Sequence, residues 1–179
     1  MIPKSEVCPQ LRNSLMGFAS RTPAGPFVEV GVYRGGTAWN LAIVARAQKR
    51  KLHLYDTFSG TPYESPEHGD KHKTGDFSDT SVEFVQKLIP DAILHPGIFP
   101  ATYMENPIKG IAFAHIDCDQ YLSVKACCEF LWPNVVSGGI MIFDDYIALK
   151  GCIKAVDEFF GSVERIDPLT DHRAIVRKV

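Results

Sequence analysis

No apolar run in this chain is long enough to cross a bilayer, so a helical membrane anchor is not expected within it. The phosphate-binding pattern G-x-x-x-x-G-K-[ST] is missing, which argues against an ordinary P-loop enzyme. None of the five cysteines, Cys8, Cys118, Cys127, Cys128 and Cys152, forms a C-x-x-C pair, so neither a zinc ribbon nor a disulfide framework is expected. Neither sign of charge is in excess. A formal net charge of −2 gives no bulk attraction to nucleic acid or to an anionic membrane. Met1 to Glu6 lack the apolar core of a signal peptide. These absences predict a reduced, cytoplasmic protein with no nucleic-acid and no membrane partner.

What remains is ordinary globular material. The 179 residues, 45% of them apolar, suffice for one well-filled core and are short for two. Residues 12–19 read as a short helix, ended by Pro23, Gly25 and Pro26; residues 1–26 form a lead-in and 27–179 the domain. Phe27 to Val30 reads as the first strand, Thr37 to Lys49 as a helix and Leu52 to Asp56 as the second strand. Helices follow at Ser81 to Leu88, Val124 to Leu131 and Gly151 to Phe160. Further strands fall at Ala92 to His95, Ile111 to Asp117 and Gly139 to Phe143. Candidates at Ser162 to Ile166 and Arg173 to Val179 would add an antiparallel hairpin at one edge. Repeated alternation of strand and helix predicts an α/β fold with a mostly parallel central sheet and helices on both faces. Thr57 to Asp76, rich in Gly, Pro, Ser, His and charge, is a long excursion of the kind that often faces a substrate.

Chemistry gathers where strands end. Gly31-Val32-Tyr33-Arg34-Gly35-Gly36 has the glycines of a cofactor turn and leads into a helix N-terminus, without matching G-x-G-x-x-G. Asp56 closes the second strand, 25 residues beyond Gly31, where an acid accepts ribose hydroxyls; capping a turn with Thr57 is the plainer alternative. Glu29 is an acid inside an apolar strand, where an unpaired carboxylate is costly; it could hold a backbone N–H or a ligand amino group, or face solvent at the strand end. Asp117, Asp119, Asp144 and Asp145 end two apolar runs that read as neighbouring strands. Four carboxylates so placed repel one another, and a fold keeps them for a cation or a proton transfer. All-oxygen donors suit Mg²⁺, with Mn²⁺ or Ca²⁺ as alternatives. Such an ion would bind a substrate hydroxyl and lower its pKa, with Asp119 placed to take the proton. His115 alternates with Asp117 and could join softer-metal chemistry, but reads better as a buried core histidine or one that supports a ligand from behind.

Four blocks in order carry a resemblance: Phe27-Val28-Glu29-Val30-Gly31-Val32-Tyr33-Arg34-Gly35-Gly36, Tyr55-Asp56-Thr57-Phe58-Ser59-Gly60, Ala114-His115-Ile116-Asp117-Cys118-Asp119-Gln120-Tyr121, and Pro133 through Tyr146 with Gly151 and Ala155 to Phe159. Together they resemble the macrocin O-methyltransferase family. The likeness implies a single-domain, Rossmann-like class I fold that uses S-adenosylmethionine and Mg²⁺ to methylate a hydroxyl of a small molecule, often the sugar of a natural product. It places Glu29, Gly31, Tyr33, Gly35, Asp56, Thr57, Asp76, Phe77 and Asp117 at the methyl donor. It makes Asp117, Asp144 and Asp145 metal ligands and Asp119 the general base. The residues alone reach a nucleoside crevice beside a metal; only the likeness selects the donor.

Family members usually have a substantial N-terminal region over the acceptor, so the excursion Tyr63 to Lys73, with His68, Lys71 and His72, becomes a candidate wall in its place. Cys118 stands where a small residue is usual between the two acids. Two other readings compete with a methyltransferase: a noncatalytic S-adenosylmethionine- or nucleoside-binding module, and another Mg²⁺-dependent nucleotide-using transferase or hydrolase. Trp39, Phe130 and Trp132 are candidates for a homo-oligomer contact, with packing inside the monomer the simpler use.

Overall fold

Phe27–Val30 (β1) and Ile111–Ile116 (β4) are buried at every position, as strands covered by helices on both faces must be. The structure, a computed structural model, describes residues 7–161, 163–167 and 171–179. Around β1 and β4 stand Leu52–Asp56 (β2), Ile93–Pro96 (β3), Val135–Phe143 (β5), Glu164–Asp167 (β6) and Asp171–Arg177 (β7). They form one sheet in the order β3-β2-β1-β4-β5-β7-β6. Strands β1 to β5 run parallel, and β7 is antiparallel to both β5 and β6. This is the mostly parallel α/β sheet that the alternation predicts, with its antiparallel edge, and it has the Rossmann-like class I form that the resemblance implies.

The alternation of side chains along each strand feeds two cores. Phe27, Leu54, Phe113 and Ile142 point to the face covered by Pro9–Ser20 (α1), Gly36–Ala47 (α2) and Val82–Leu88 (α3). Val28, Tyr55, Ala114, Met141 and Phe143 point to the face covered by Ala101–Glu105 (α4), Tyr121–Leu131 (α5) and Lys150–Phe160 (α6). Helix α1 belongs to the core: Leu15 and Ala19 are fully buried, and the buried Arg173 of β7 donates to the Leu11 carbonyl at 3.0 Å. The lead-in is thus packed against the domain that follows it.

Several boundaries move for local reasons. Strand β5 begins at Val135 rather than Gly139, because a shift in register between Ile111 and Phe113 lets Val135 pair with Ile111. Helix α5 begins at Tyr121 rather than Val124. Helix α4 has only five residues, too few for periodicity to reveal it. Ser162 and Met1 to Glu6 lie outside the described residues. Trp132 packs edge-on against Phe160 with ring centres 5.0 Å apart, and both Trp132 and Phe130 lie against the α5–α6 core.

One pH-sensitive contact lies between β2 and β3. His53 on β2 stacks on His95 of β3, with Nδ1 and Nε2 3.0 Å apart. Burial, then His95 and Lys51, push His53 down to about 4 from an ordinary value of 6.5. The unfolded chain therefore binds a proton there that the folded chain refuses. The stabilisation is complete above pH 6.5 and is lost as pH falls from 6.5 through about 4. Because the ring is partly exposed, we expect about 1 kcal/mol rather than the full linkage value between pH 7 and 5. Urea unfolding of wild type and His53→Gln at both pH values checks this: wild type should lose more stability on acidification. Equal losses would remove His53 as the cause.

Candidate active site

Strand β1 is the point where the sheet changes its direction of growth: β2 and β3 extend one way, β4 and β5 the other. The connections diverge there and leave a crevice at the carboxyl ends of the strands. A cavity of about 460 Å³ occupies it. Its walls come from each strand end in turn: Gly31, Val32 and Tyr33 after β1, Asp56 and Thr57 after β2, Gly97 and Phe99 after β3, Asp117 to Asp119 after β4, and Asp144 and Asp145 after β5.

The glycine turn and Asp56 are built as one unit. Asp56 Oδ2 accepts the Val32 and Tyr33 amides at 2.6 and 2.8 Å, and Oδ1 accepts the Phe58 amide at 2.7 Å. Of roughly four acceptor positions on a carboxylate, three are taken, leaving about one for a ligand hydroxyl. Gly31 has φ +89°, and a Cβ on it would lie 1.9 Å from the Asp117 carbonyl oxygen, so nothing larger fits where β1 and β4 end together. Tyr33 donates through its hydroxyl to Asp79 at 2.6 Å, and its ring meets Phe77 edge-on at 5.4 Å. Phe77 lines the cavity. Gly35 caps α2 and Asp76 accepts the Lys73 amide, and neither reaches the cavity wall.

Glu29 also lies behind the wall. Register places it beside His115 on β4, and His115 Nδ1 sits 2.9 Å from Glu29 Oε1 while Nε2 sits 3.3 Å from Asp144 Oδ1. Burial opposes charge on this imidazole, yet hydrogen bonds to Asp144 and Glu29 hold it up at about 10, so it donates to both acids at neutral pH. Burial also pushes Asp144 up, but His115 outweighs it and Asp144 ends below the ordinary carboxylate range. Burial raises Glu29. Glu29 Oε2 is buried without a hydrogen-bond partner among the described residues.

Among the four acids three lie closest together. Asp117, Asp119 and Asp145 each present an oxygen within 4.8 Å of the others, while Asp144 turns to His115. Asp117 is held well above the carboxylate range by burial and then by Asp144; Asp119 by burial and then by Asp145; and burial raises Asp145. Charge on all three is disfavoured unless a cation offsets it. An all-oxygen trio with that electrostatic deficit fits a hard divalent ion. Cys118 lies between two of the acids with its Sγ 3.9 Å from Cys127, and that contact, then burial, raises its thiol well above the ordinary value and disfavours the thiolate.

The excursion is docked rather than free. His68 packs at a tilt on Tyr121 with ring centres 4.0 Å apart and contacts Lys154 Nζ at 2.7 Å, and Lys71 donates to the Ala148 carbonyl at 3.1 Å. These partners hold His68, Lys71 and Lys154 on the outer side, whereas His72 lines the cavity with Nε2 4.0 Å from Asp119 Oδ2. Val7, Cys8 and Leu11 from the lead-in, Ser123 and His172 also line it. None of these five stands in a motif, and no local pattern marks them.

The family model for "Macrocin-O-methyltransferase (TylF)" matches residues 5–173. The chain belongs to the macrocin O-methyltransferase family. Among its relatives, demethyldecarbamoylnovobiocin O-methyltransferase of Streptomyces niveus is 31% identical over 161 residues, covering 81% of this chain and 62% of the relative. The 8-demethyl-8-(2,3-dimethoxy-alpha-L-rhamnosyl)-tetracenomycin-C 4'-O-methyltransferase of Streptomyces olivaceus is 30% identical over 163 residues, with 82% and 62% covered. The chain thus spans 62% of the length of these two relatives. The solved O-methyltransferase NovP superposes with a TM-score of 0.76 at 24% identity, covering 95% of this chain and 78% of NovP. That superposition gives the macrocin family member the same fold. No described helix is long and apolar enough to cross a membrane.

Proposed function

We propose that this chain transfers the methyl group of S-adenosylmethionine to a hydroxyl of a small molecule, of the sugar or natural-product class, with Mg²⁺ as the assisting cation and Mn²⁺ or Ca²⁺ as alternatives. The observation that carries the reading is the shared edge: Asp117, Asp119 and Asp145 line the same cavity as the Gly31 turn and Asp56. Family membership and two relatives named as O-methyltransferases, one of demethyldecarbamoylnovobiocin and one of a rhamnosyl-tetracenomycin C, support the substrate class.

When bound, the donor supplies a methyl activated on a sulfonium, and the cation supplies positive charge that lowers the pKa of a nearby hydroxyl. The chain's own residues do the rest. Gly31 and Tyr33 form the turn that meets the donor, with Gly35 holding the helix start behind them. Asp56 and Thr57 receive the ribose, and Phe77, set by Asp76 and the docked excursion, borders the adenine. Asp117 and Asp145 hold the cation, and Asp144 shapes the same pocket from its bond to His115. Asp119 accepts the proton of the acceptor hydroxyl, which general-base geometry requires within hydrogen-bond reach. Glu29, at the back of the site, fixes His115.

Calorimetric titration with S-adenosylmethionine, before and after adding Mg²⁺, tests the reading. We expect saturable binding near one donor per chain, and a Mg²⁺ response that Asp117→Asn/Asp145→Asn abolishes. Folded protein that binds no donor would overturn the methyl-transfer reading, and donor binding with no Mg²⁺ response would overturn its cation.

A further inference from the structure

Asp119 sits in a backbone state that aspartate seldom adopts. Its φ is +60°, and the Gln120 amide donates to the Cys118 carbonyl at 2.6 Å, closing a γ-turn of the strained hand around it. Five non-glycine residues have positive φ among those described, and three of them, Tyr33, Phe77 and Asp119, line the cavity. Strain of this kind persists only where the surroundings over-determine it. The question is what holds Asp119.

One segment meets the turn from three directions. The Gln120 side chain accepts the Tyr63 amide at 3.0 Å and donates to the Tyr63 carbonyl. Asp70 Oδ1 accepts the Tyr121 amide at 2.8 Å, supplying to α5 the cap that its own N-cap residue, Gln120, does not make. His72 faces the Asp119 carboxylate itself. Space is reserved for this arrangement: a Cβ on Gly151, at the start of α6, would lie 2.2 Å from Asp70 Oδ1. Asp70 Oδ2 is buried without a hydrogen-bond partner among the described residues. A segment placed only for stability would not combine an orphaned buried oxygen with a strained neighbour.

We propose that Asp70 and Gln120 are positioning residues that clamp the γ-turn and thereby hold the Asp119 carboxylate beside Asp117 and Asp145. This rests on the methyl-transfer reading for what Asp119 does, but not for where it is held. The excursion is then a structural wall of the site whose far side sets the geometry of the acid cluster.

The test uses Asp70→Ala, Asp70→Asn and Gln120→Ala, each alone and combined with Asp119→Gly. Mn²⁺ titration followed by electron paramagnetic resonance reads the cluster, amide exchange at Gln120 and Tyr121 reads the turn, and urea unfolding reads the coupling. Asp70→Ala should weaken Mn²⁺ binding about tenfold, as loss of a group that orients a ligand does, and speed exchange at Tyr121. Asp70→Asn keeps an acceptor for that amide and should restore both to within about threefold of wild type. In the Asp119→Gly background the turn is unstrained, so no relaxation offsets unclamping and Asp70→Ala should cost more stability than it does in wild type. Should Asp70→Ala fail to fold, Gln120→Ala removes the other half of the clamp and carries the same readouts. Unchanged Mn²⁺ affinity in the clamp variants, or strictly additive stability losses, would overturn the proposal. Absence of Mn²⁺ binding in wild type would overturn the proposed cation instead, and exchange and coupling would then decide the clamp.

Discussion

Replacing Gly31 by alanine is expected to remove about 2–5 kcal/mol of stability and to abolish donor binding, because two separate costs fall on one atom. The first is the backbone: at φ +89° an L side chain is strained, at about 1–2 kcal/mol. The second is contact: the new Cβ would lie 1.9 Å from the Asp117 carbonyl oxygen, 2.5 Å from its carbon and 3.0 Å from the Cys118 amide nitrogen. All three are backbone atoms, so no side chain can swing aside, and forcing such an overlap costs about 1–3 kcal/mol or more. Against a usual total of about 5–15 kcal/mol, that is a large share. The displaced atoms also carry Asp117, so the damage reaches the acid cluster directly. Urea unfolding and calorimetry with S-adenosylmethionine measure both effects. A loss under about 1 kcal/mol would mean that β1 and β4 part easily at this end, against the packing described here.

Asp119→Asn should separate function from stability. Turnover, followed as S-adenosylhomocysteine formed in an acceptor screen, should fall about a hundredfold to ten-thousandfold if Asp119 takes the proton. The same variant should unfold at a higher temperature in chelator-treated buffer, by the equivalent of about 1 kcal/mol. Asparagine keeps the shape of the side chain and removes a carboxyl whose charged form is disfavoured by burial and then by Asp145. The two signs together identify a carboxyl kept at an electrostatic cost for its chemistry. Wild-type turnover in the variant would remove Asp119 as the base, and a lowered melting temperature would contradict the cost of burying its carboxyl among the other acids.

The physics behind both predictions was unequally visible in the chain. Fold and family were legible because each depends on local pattern. Central parallel strands are buried on both faces, so they read as unbroken apolar runs, and an acid or glycine ending such a run stands out: Gly31, Asp56, Asp117, Asp144. The short α4 and the early start of β5 were hidden, the first by its length and the second by a register shift that only the neighbouring strand creates.

The division of labour among the acids depended on pairing across the sheet. Glu29 and His115 are 86 residues apart and become neighbours only because β1 lies beside β4 in that register. That pairing withdraws Glu29 from the cavity and draws Asp144 to His115, leaving Asp117, Asp119 and Asp145 as the close trio. The docking of Asp70 on α5, and the approach of Cys8 and His172 to one cavity, have the same character. By itself the sequence determined which residue types stand at the ends of which strands, because burial periodicity is local. Tertiary structure alone decided which of those groups touch, because strand order and register bring together residues that no spacing along the chain relates.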